Sequence, residues 1–368
     1  MSRVLVVDEA PPQPGRDGGS ARMVALLELL IGDGHRVCFA SIRPWSDDLL
    51  LPRRRVEELG VEVVASDGDV AGYLATAGTN VDVVILSRLP VASALLGAAR
   101  AHAPRAQVVY DAVHAEHLAR YRLAKLAGNA PLLAAALTDR AAEAAVVAAV
   151  DGLLATSEED ATALQALGPQ ARVAVVPAVH ASGDASPPSG RRHGLVFLGF
   201  LEMPENAIAA RRLVDEIWPR IERLAGPTPL TILGACPPAW LSARAACTPR
   251  LSAPGHLPDV DAPLRHAAAL VVPLRGGAGV KSKVLHAFGR WLPVVASTDG
   301  LRGTQARDGV HALVGESDDE LAEASARVLG DPSLGKMLAG NAAELLRTHF
   351  GVEANRAALR TVLEGVHG

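Results

Sequence analysis

Short apolar runs alternate with longer amphipathic stretches along almost the whole chain. The first run, RVLVVD at residues 3–8, is apolar at successive positions. That pattern suits a parallel strand covered on both faces. Gly/Pro-rich sequence follows (PPQPGRDGG, residues 11–19), then a helical period over 20–31 closed by Gly32 and Gly34, then a second strand at 36–41. The same rhythm predicts helices at 47–59, 69–77, 91–101, 114–149 and 158–167, and strands at 61–65, 81–87, 107–111, 152–156 and 172–176. Residues 178–193 (AVHASGDASPPSGRRH) offer little that could build a core and read as a linker. A second series then begins with a strand at 195–199. It continues with helix 205–224, strands 229–233 and 250–253, helix 261–267, strand 268–272, helix 280–288, strand 293–296, helix 317–330 and a last helical stretch over 332–366. Strands alternating with helices predict an α/β chain of two Rossmann-like, doubly wound parallel sheets. The expected division is residues 1–180, a linker at 181–193, a second domain at 194–345, and a terminal helix at 346–368 returning to the first domain. Ligands of such sheets bind beyond the carboxyl ends of the strands, so two facing domains imply a cleft there.

Composition narrows the function classes. The chain has 368 residues, 49% hydrophobic and 21% charged, which is a globular balance with enough apolar sequence for two cores. Aromatic residues are only 3%, so Ala, Leu and Val must fill those cores. The formal net charge is −4, and Arg53, Arg54 and Arg55 form the only basic triple, which argues against nucleic acid as a partner. Cys38, Cys236 and Cys247 lack the spacing of a disulfide framework or zinc site, and the chain opens directly into a strand. Both features suit a cytoplasmic setting. The Ala-rich stretch 130–150 is interrupted by Asp139, Arg140 and Glu143, which favours a buried helix over a membrane span. Membrane association is therefore not indicated.

The densest chemical signal is VVPLRGGAGVKSKVLHAFGRWLPVV at residues 271–295. A buried strand ends at Pro273. Arg275 and a Gly-rich loop (Gly276, Gly277, Ala278, Gly279 and Val280) then lead into a helix whose first turn holds Lys281, Ser282 and Lys283. Glycines permit close backbone approach, and free N–H groups at a helix start favour a phosphate. The lysines add charge that could neutralise a diphosphate leaving group. A plain tight turn beneath a lysine-rich surface explains the same spacing equally well. The loop is neither a Walker A sequence nor GxGxxG.

This segment resembles the donor-binding core of the family 4 (group 1) glycosyltransferases, which are retaining GT-B enzymes. It is most similar to the subgroup reading P-L-R-x-G-A-G-V-K-x-K-x-x-E-A followed by P-V-V. The VFLGF stretch containing Gly199, together with Pro204, Asn206, IWP at 217–219, ILG at 232–234 and GHLPD at 255–259, looks like the start of the same domain. Gly303, Asp308-Gly309 and Asp331 also fit, so the resemblance spans residues 195–350. Asp8, Gly18 and Gly19, with the helix after them, resemble the family's N-terminal acceptor domain. The resemblance implies a metal-independent hexosyltransferase with no cofactor beyond its substrate, a nucleoside-diphosphate sugar. The acceptor would be a small-molecule or glycan hydroxyl. The family usually carries two glutamates with seven residues between them, one touching sugar hydroxyls and one the ribose. Here those positions are Ala278 and His286. That departure points toward a modified hexose and specialised metabolism.

Other candidates follow the first domain's strands. His114 and His117, after strand 107–111, could position or deprotonate an acceptor hydroxyl. As surface residues on a helix capped by Asp111, they would do neither. Arg88 could pair with an anionic group or with Asp111. The runs Asp67-Gly-Asp69 and Asp259-Val-Asp261 lack supporting ligands and read as turns, with Asp69 as a helix cap, so no metal is expected. Two alternatives share the scaffold: a nucleotide-sugar epimerase, and a non-catalytic partner subunit that has lost the glutamate pair.

Overall fold

The structure is a computed structural model that describes residues 1–13, 18–46, 49–168, 171–177, 190, 192–257, 259–276 and 280–363. The chain divides into two units, one formed by Met1–Val179 with Val352–Gly368, the other by His180–Gly351.

Unit 1 alternates β1 (Arg3–Asp8), α1 (Gly18–Gly32), β2 (Arg36–Ser41), α2 (Leu50–Glu58), β3 (Glu62–Val63), α3 (Val70–Ala77), β4 (Val83–Ser87) and α4 (Leu89–His102). It continues with β5 (Gln107–Asp111), α5 (Glu116–Ala127), α6 (Ala130–Ala149), β6 (Gly152–Ala155), α7 (Glu158–Gln165) and β7 (Arg172–Val175). The seven strands are all parallel, in the order β3-β2-β1-β4-β5-β6-β7. The apolar runs are explained by burial on both faces. Val4 and Val6 of β1 join one core with Met23, Leu26 and Leu30 of α1, while Leu5 and Val7 join another with α3 and α4. Strand side chains alternate between the faces, so each strand feeds both cores.

Unit 2 contains β8 (Leu195–Leu198), α8 (Pro204–Arg212), α9 (Trp218–Ala225), β9 (Leu230–Leu233), α10 (Ala239–Cys247), β10 (Leu251–Gly255), α11 (Asp261–His266), β11 (Ala269–Val272) and α12 (Ser282–Gly289). After these come β12 (Val294–Ala296), α13 (Thr298–Leu301), β13 (Leu313–Val314), α14 (Asp318–Gly330) and α15 (Pro332–His349). Its six parallel strands run β10-β9-β8-β11-β12-β13 around one hydrophobic core. Both sheets therefore share the Rossmann order, which reverses next to the first strand of each.

The last helix, α16 (Val352–Leu363), packs on unit 1. Leu359 and Val362 enter the α1-side core, Gln107 Nε2 donates to the Val362 carbonyl at 2.6 Å, and Arg360 pairs with Asp33 at 2.8 Å. A Cβ on Gly152 would lie 2.5 Å from Val362 Cγ1, so glycine there lets the helix approach β6.

Several elements depart from the sequence expectation. The helix over 205–224 is interrupted by a π-helical turn at Leu213–Ile217. Pro219 supplies the reason: it has no N–H to donate and its ring crowds the carbonyl four residues back. The stretch over 332–366 is two helices, separated at Phe350 and Gly351. Only Glu62 and Val63 of the strand expected at 61–65 pair with β2, at the sheet edge. The Ala-rich helix α6 is not buried: it hides only Ala136, Glu143, Val146 and Val147, and Leu137 is 64% exposed. Glu143, read from sequence as an interruption, is a residue that this helix buries completely.

Candidate functional site

The switch point of unit 2 lies between β8 and β11. Gly199 follows β8 there, and Arg275 and Gly276 follow β11. The chain must pack tightly at this point. A Cβ on Gly234 would fall 1.9 Å from the Gly199 carbonyl oxygen, and one on Gly199 would fall 2.9 Å from both Asn206 Cγ and Lys283 Nζ. Gly199 thus makes room for an ammonium group at the end of the strand. That ammonium donates to Asn206 Oδ1 and sits 5.0 Å from the centroid of the Phe197 ring. Asn206 is itself oriented, because its Nδ2 donates to the Phe200 carbonyl at 2.9 Å. Burial, then the neighbouring charge of Lys281, lower the Lys283 pKa to about 7, with Glu205 acting in the opposite direction.

Helix α12 begins at Ser282, so Lys281 is its N-cap rather than part of its first turn. The Lys281 side chain does not cap this terminus, and Lys281 is 8% exposed. Gly276 adopts φ +84, a conformation that favours glycine. Its N–H donates to Asp299 Oδ2 at 2.6 Å, and Arg302 holds the other oxygen of that carboxylate at 2.5 Å. Burial would raise the Asp299 pKa, but the bonds from Arg302 and Gly276 outweigh it and keep the group below its ordinary value. Buried Arg212 supports the same strand end, donating to the Pro273 carbonyl at 3.0 Å and to Asp318 at 2.6 Å. Val280 is half-buried and Arg275 exposed. Gly277, Ala278 and Gly279 lie outside the described residues.

His286, one turn further along α12, hydrogen-bonds through Nε2 to Asp261 Oδ1 at 2.8 Å, and Arg290 holds Asp261 Oδ2 at 2.7 Å. Burial, with Arg290 adding to it, lowers the His286 pKa despite the carboxylate, which favours the neutral ring. A neutral ring bonded to a carboxylate through Nε2 carries its proton there, which leaves Nδ1 as the accepting nitrogen.

In unit 1, the residues on the corresponding strand ends bind one another. Asp111 is fully buried and receives two bonds from Arg22, at 2.7 and 2.8 Å, and one from Ser87 Oγ at 2.8 Å. It does not cap α5. Arg88 sits at φ +76, its Nε donates to Asp8 at 2.8 Å, and its backbone N–H donates to the Asp111 carbonyl at 2.8 Å. Burial raises the Asp8 pKa, against the pull of Arg88. Gly18 and Gly19 form the first turn of α1, ahead of Arg22.

The two histidines separate. His114 is 34% exposed and bonds Glu116 at 2.8 Å, which with Arg120 brings the glutamate down to about 2 despite burial. The ring of His117 is only 13% exposed and bonds Glu143 through Nδ1. Glu143 also accepts from the Glu116 and His117 backbone N–H groups and from Tyr110 OH, so it serves as the cap of α5 from the neighbouring helix. Each Asp-x-Asp run is engaged by other groups of its own unit. Asp69 accepts from Gly72 N at 2.9 Å as the cap of α3, and Asp261 is engaged with His286 and Arg290. Among the described residues, no group of three His, Cys, Asp or Glu could hold a metal ion.

Sequence reasoning gave no role to Asn206, Asp261 or Asp299. Asn206 stood among the matched positions, and Asp261 was visible only as half of a short acidic run. Asp299 carries no local signal, because its partner Gly276 is 23 residues away.

Over its full length the chain superposes on proteins that handle sugars. HepE of Anabaena, determined with UDP and glucose, aligns at TM-score 0.73 and 13% identity over 99% of this chain and 100% of that one. Sucrose-phosphate synthase of Thermosynechococcus elongatus aligns at 0.74 and 15%, over 99% and 98%. The pneumococcal O-GlcNAc transferase GtfA, determined with UDP and GlcNAc, aligns at 0.72 and 11%, over 100% and 99%. The fold is GT-B. In sequence, residues 192–331 match the family model "Glycosyl transferases group 1", while no curated protein matches the chain. No helix among the described residues is long and apolar enough to cross a membrane.

Proposed function

We propose that this GT-B protein is a glycosyltransferase that moves a hexose or modified hexose from a nucleoside-diphosphate sugar to a hydroxyl acceptor, with retention and without a metal ion. The group 1 match over the second unit and the GT-B fold support the broader reading. The observation that carries it is the ammonium of Lys283 at the switch point, held by a neutral amide and an aromatic ring beside the start of α12. An incoming diphosphate would meet positive charge and the N–H groups of a helix start at once. Lys281 and Lys283 would stabilise the charge that grows on the leaving diphosphate. The departing phosphate would help take the proton of the acceptor hydroxyl, so no protein nucleophile is required. Binding both substrates in reactive register would supply the remaining acceleration.

The test is a product assay with a panel of nucleotide sugars and hydroxyl acceptors, run with and without EDTA. Glycosyl transfer is expected, unchanged by chelation. An isomerised donor without transfer would identify an epimerase. No product from any donor, together with no calorimetric binding of nucleoside diphosphates, would leave a non-catalytic partner. Activity lost in EDTA and restored by magnesium or manganese would overturn the metal-free mechanism.

A further inference from the structure

A cavity of about 920 Å³ opens in unit 2, at the edge of the sheet opposite to Gly199 and Gly276. Gly194, Pro229, Ala268 and Pro293 line it, and each immediately precedes a strand: β8, β9, β11 and β12. In a parallel sheet the amino ends of the strands all lie on one edge. The cavity is thus separated by the length of the strands from Gly199 and Gly276 at the carboxyl ends. Its size falls in the range of small-molecule sites, roughly 300–1,000 Å³.

Small and rigid side chains create the space. Pro227, Pro229, Pro293 and Pro332 form apolar walls that offer no N–H donors, and Gly335 and Ala339 keep the facing side of α15 low. Trp291, at φ +54, adds an indole surface.

The charged side chains of the described lining have one sign. Arg192 and Lys336 contribute to it, and none of the described lining residues is Asp or Glu. Arg192 is half-buried and donates to the carbonyls of Trp291 and, at 3.1 Å, Arg290. These bonds fix the guanidinium against the end of α12, but both acceptors are neutral. Among the described residues no carboxylate pairs with it, and burial alone lowers its pKa to about 10. A guanidinium fixed in place without a counter-charge, facing an apolar chamber, is complementary to an acid carried on an apolar body.

We propose that this cavity is a second ligand site, distinct from the nucleotide site, and that it takes an amphipathic carboxylate. The acid group lies toward Arg192 and Lys336, and the apolar body lies against the prolines and Trp291. The inference stands apart from the glycosyl-transfer reading.

Fluorescence titration with 8-anilinonaphthalene-1-sulfonate tests it, with uridine diphosphate present to occupy the other edge of the sheet. One saturable site per chain is expected, with the probe displaced by decanoate and not by decanol at equal concentration. Arg192→Gln keeps hydrogen-bond donors for the two carbonyls but removes the charge, and should weaken probe and decanoate by about tenfold or more. Ala339→Trp should abolish binding by filling the chamber, and Lys336→Gln provides a surface variant if that replacement does not fold. Absence of saturable binding, equal displacement by decanol and decanoate, or unchanged affinity in Arg192→Gln and Lys336→Gln would each overturn the proposal.

Discussion

Both sheets reverse their strand order at the same place, between β1 and β4 in unit 1 and between β8 and β11 in unit 2, and both gather charge there. They use it in opposite ways. In unit 1 Arg22 is matched by Asp111 and Arg88 by Asp8, so the charges satisfy one another inside the protein. In unit 2 Lys283 faces an amide oxygen and an aromatic ring. An anion reaching the first site would have to displace a carboxylate that is already bonded. At the second, among the described residues, no carboxylate is bonded to the Lys283 ammonium. A shared topology therefore yields a self-contained polar core in one unit and, on the proposed function, a strand end that receives an anion in the other.

The largest expected effect comes from breaking the closed site. Asp111→Ala would leave the Arg22 guanidinium, 5% exposed, without its carboxylate. Removing one member of a buried pair typically costs about 3–5 kcal/mol. Denaturant unfolding should show that loss, and adding Arg22→Met should recover much of it. A single-variant loss under about 1 kcal/mol would show that Arg22 finds another partner, and the contrast between the units would fall. Next is the open site. Lys283→Met should weaken uridine diphosphate binding by roughly 1.5–3 kcal/mol, the range for a charged hydrogen bond, with no comparable loss of stability. Equal affinity in calorimetry would return the lysine to a packing role.

The pH dependence sharpens the same contrast. The folded pKa of Lys283, about 7, lies below the ordinary 10.5, so between these values the unfolded chain binds more protons than the folded one. The contribution of this residue to stability should therefore rise with pH across that window and be lowest, and constant, below about pH 7. Its contribution to diphosphate binding should run the other way, falling as the ammonium deprotonates. The affinity difference between native protein and Lys283→Met should shrink from pH 6.5 to pH 8.5; a constant difference would place the ammonium's pKa well above this window.

The smallest effect concerns His286. With Nε2 committed to Asp261, the ring offers one accepting nitrogen where a glutamate offers two oxygens. Native protein should bind uridine and deoxythymidine diphosphates to within a few-fold. His286→Glu should shift the ratio toward the ribose form by about 1 kcal/mol. A strong ribose preference in native protein, unaltered by the substitution, would remove His286 from nucleotide selection.

How much of this was legible in the sequence depended on the separation between partners. The alternating strands, the Gly-rich loop and the cap at Asp69 are local patterns, and they could be read directly. The pairing of Arg22 with Asp111 spans 89 residues, and that of His286 with Asp261 spans 25. No periodicity links such positions, so Asp111 read as a cap and Asp261 as part of an acidic turn. Glu143 is the clearest case. A charge in an Ala-rich stretch looks like solvent exposure, yet the start of α5 and Tyr110 make that carboxylate the best-bonded group on its helix. Pro219 and Gly351 did mark breaks, but strong helical periods on either side masked them.

The return of α16 to unit 1 sets the order in which the protein can be finished. The ribosome delivers the chain from its N-terminus, and at about 5–20 residues per second the whole of unit 2 emerges over roughly ten seconds or more. During that time unit 1 lacks Leu359 and Val362, and the β6 and β7 part of its α1-side core remains without this helix. The bonds that close it join residues 255 and 327 positions apart, Gln107 to Val362 and Arg360 to Asp33. Unit 2 has no such dependence, because its residues are contiguous. The half synthesised first is the half completed last, and loss of the final helix during synthesis would leave a strip of unit 1 core open to misassociation.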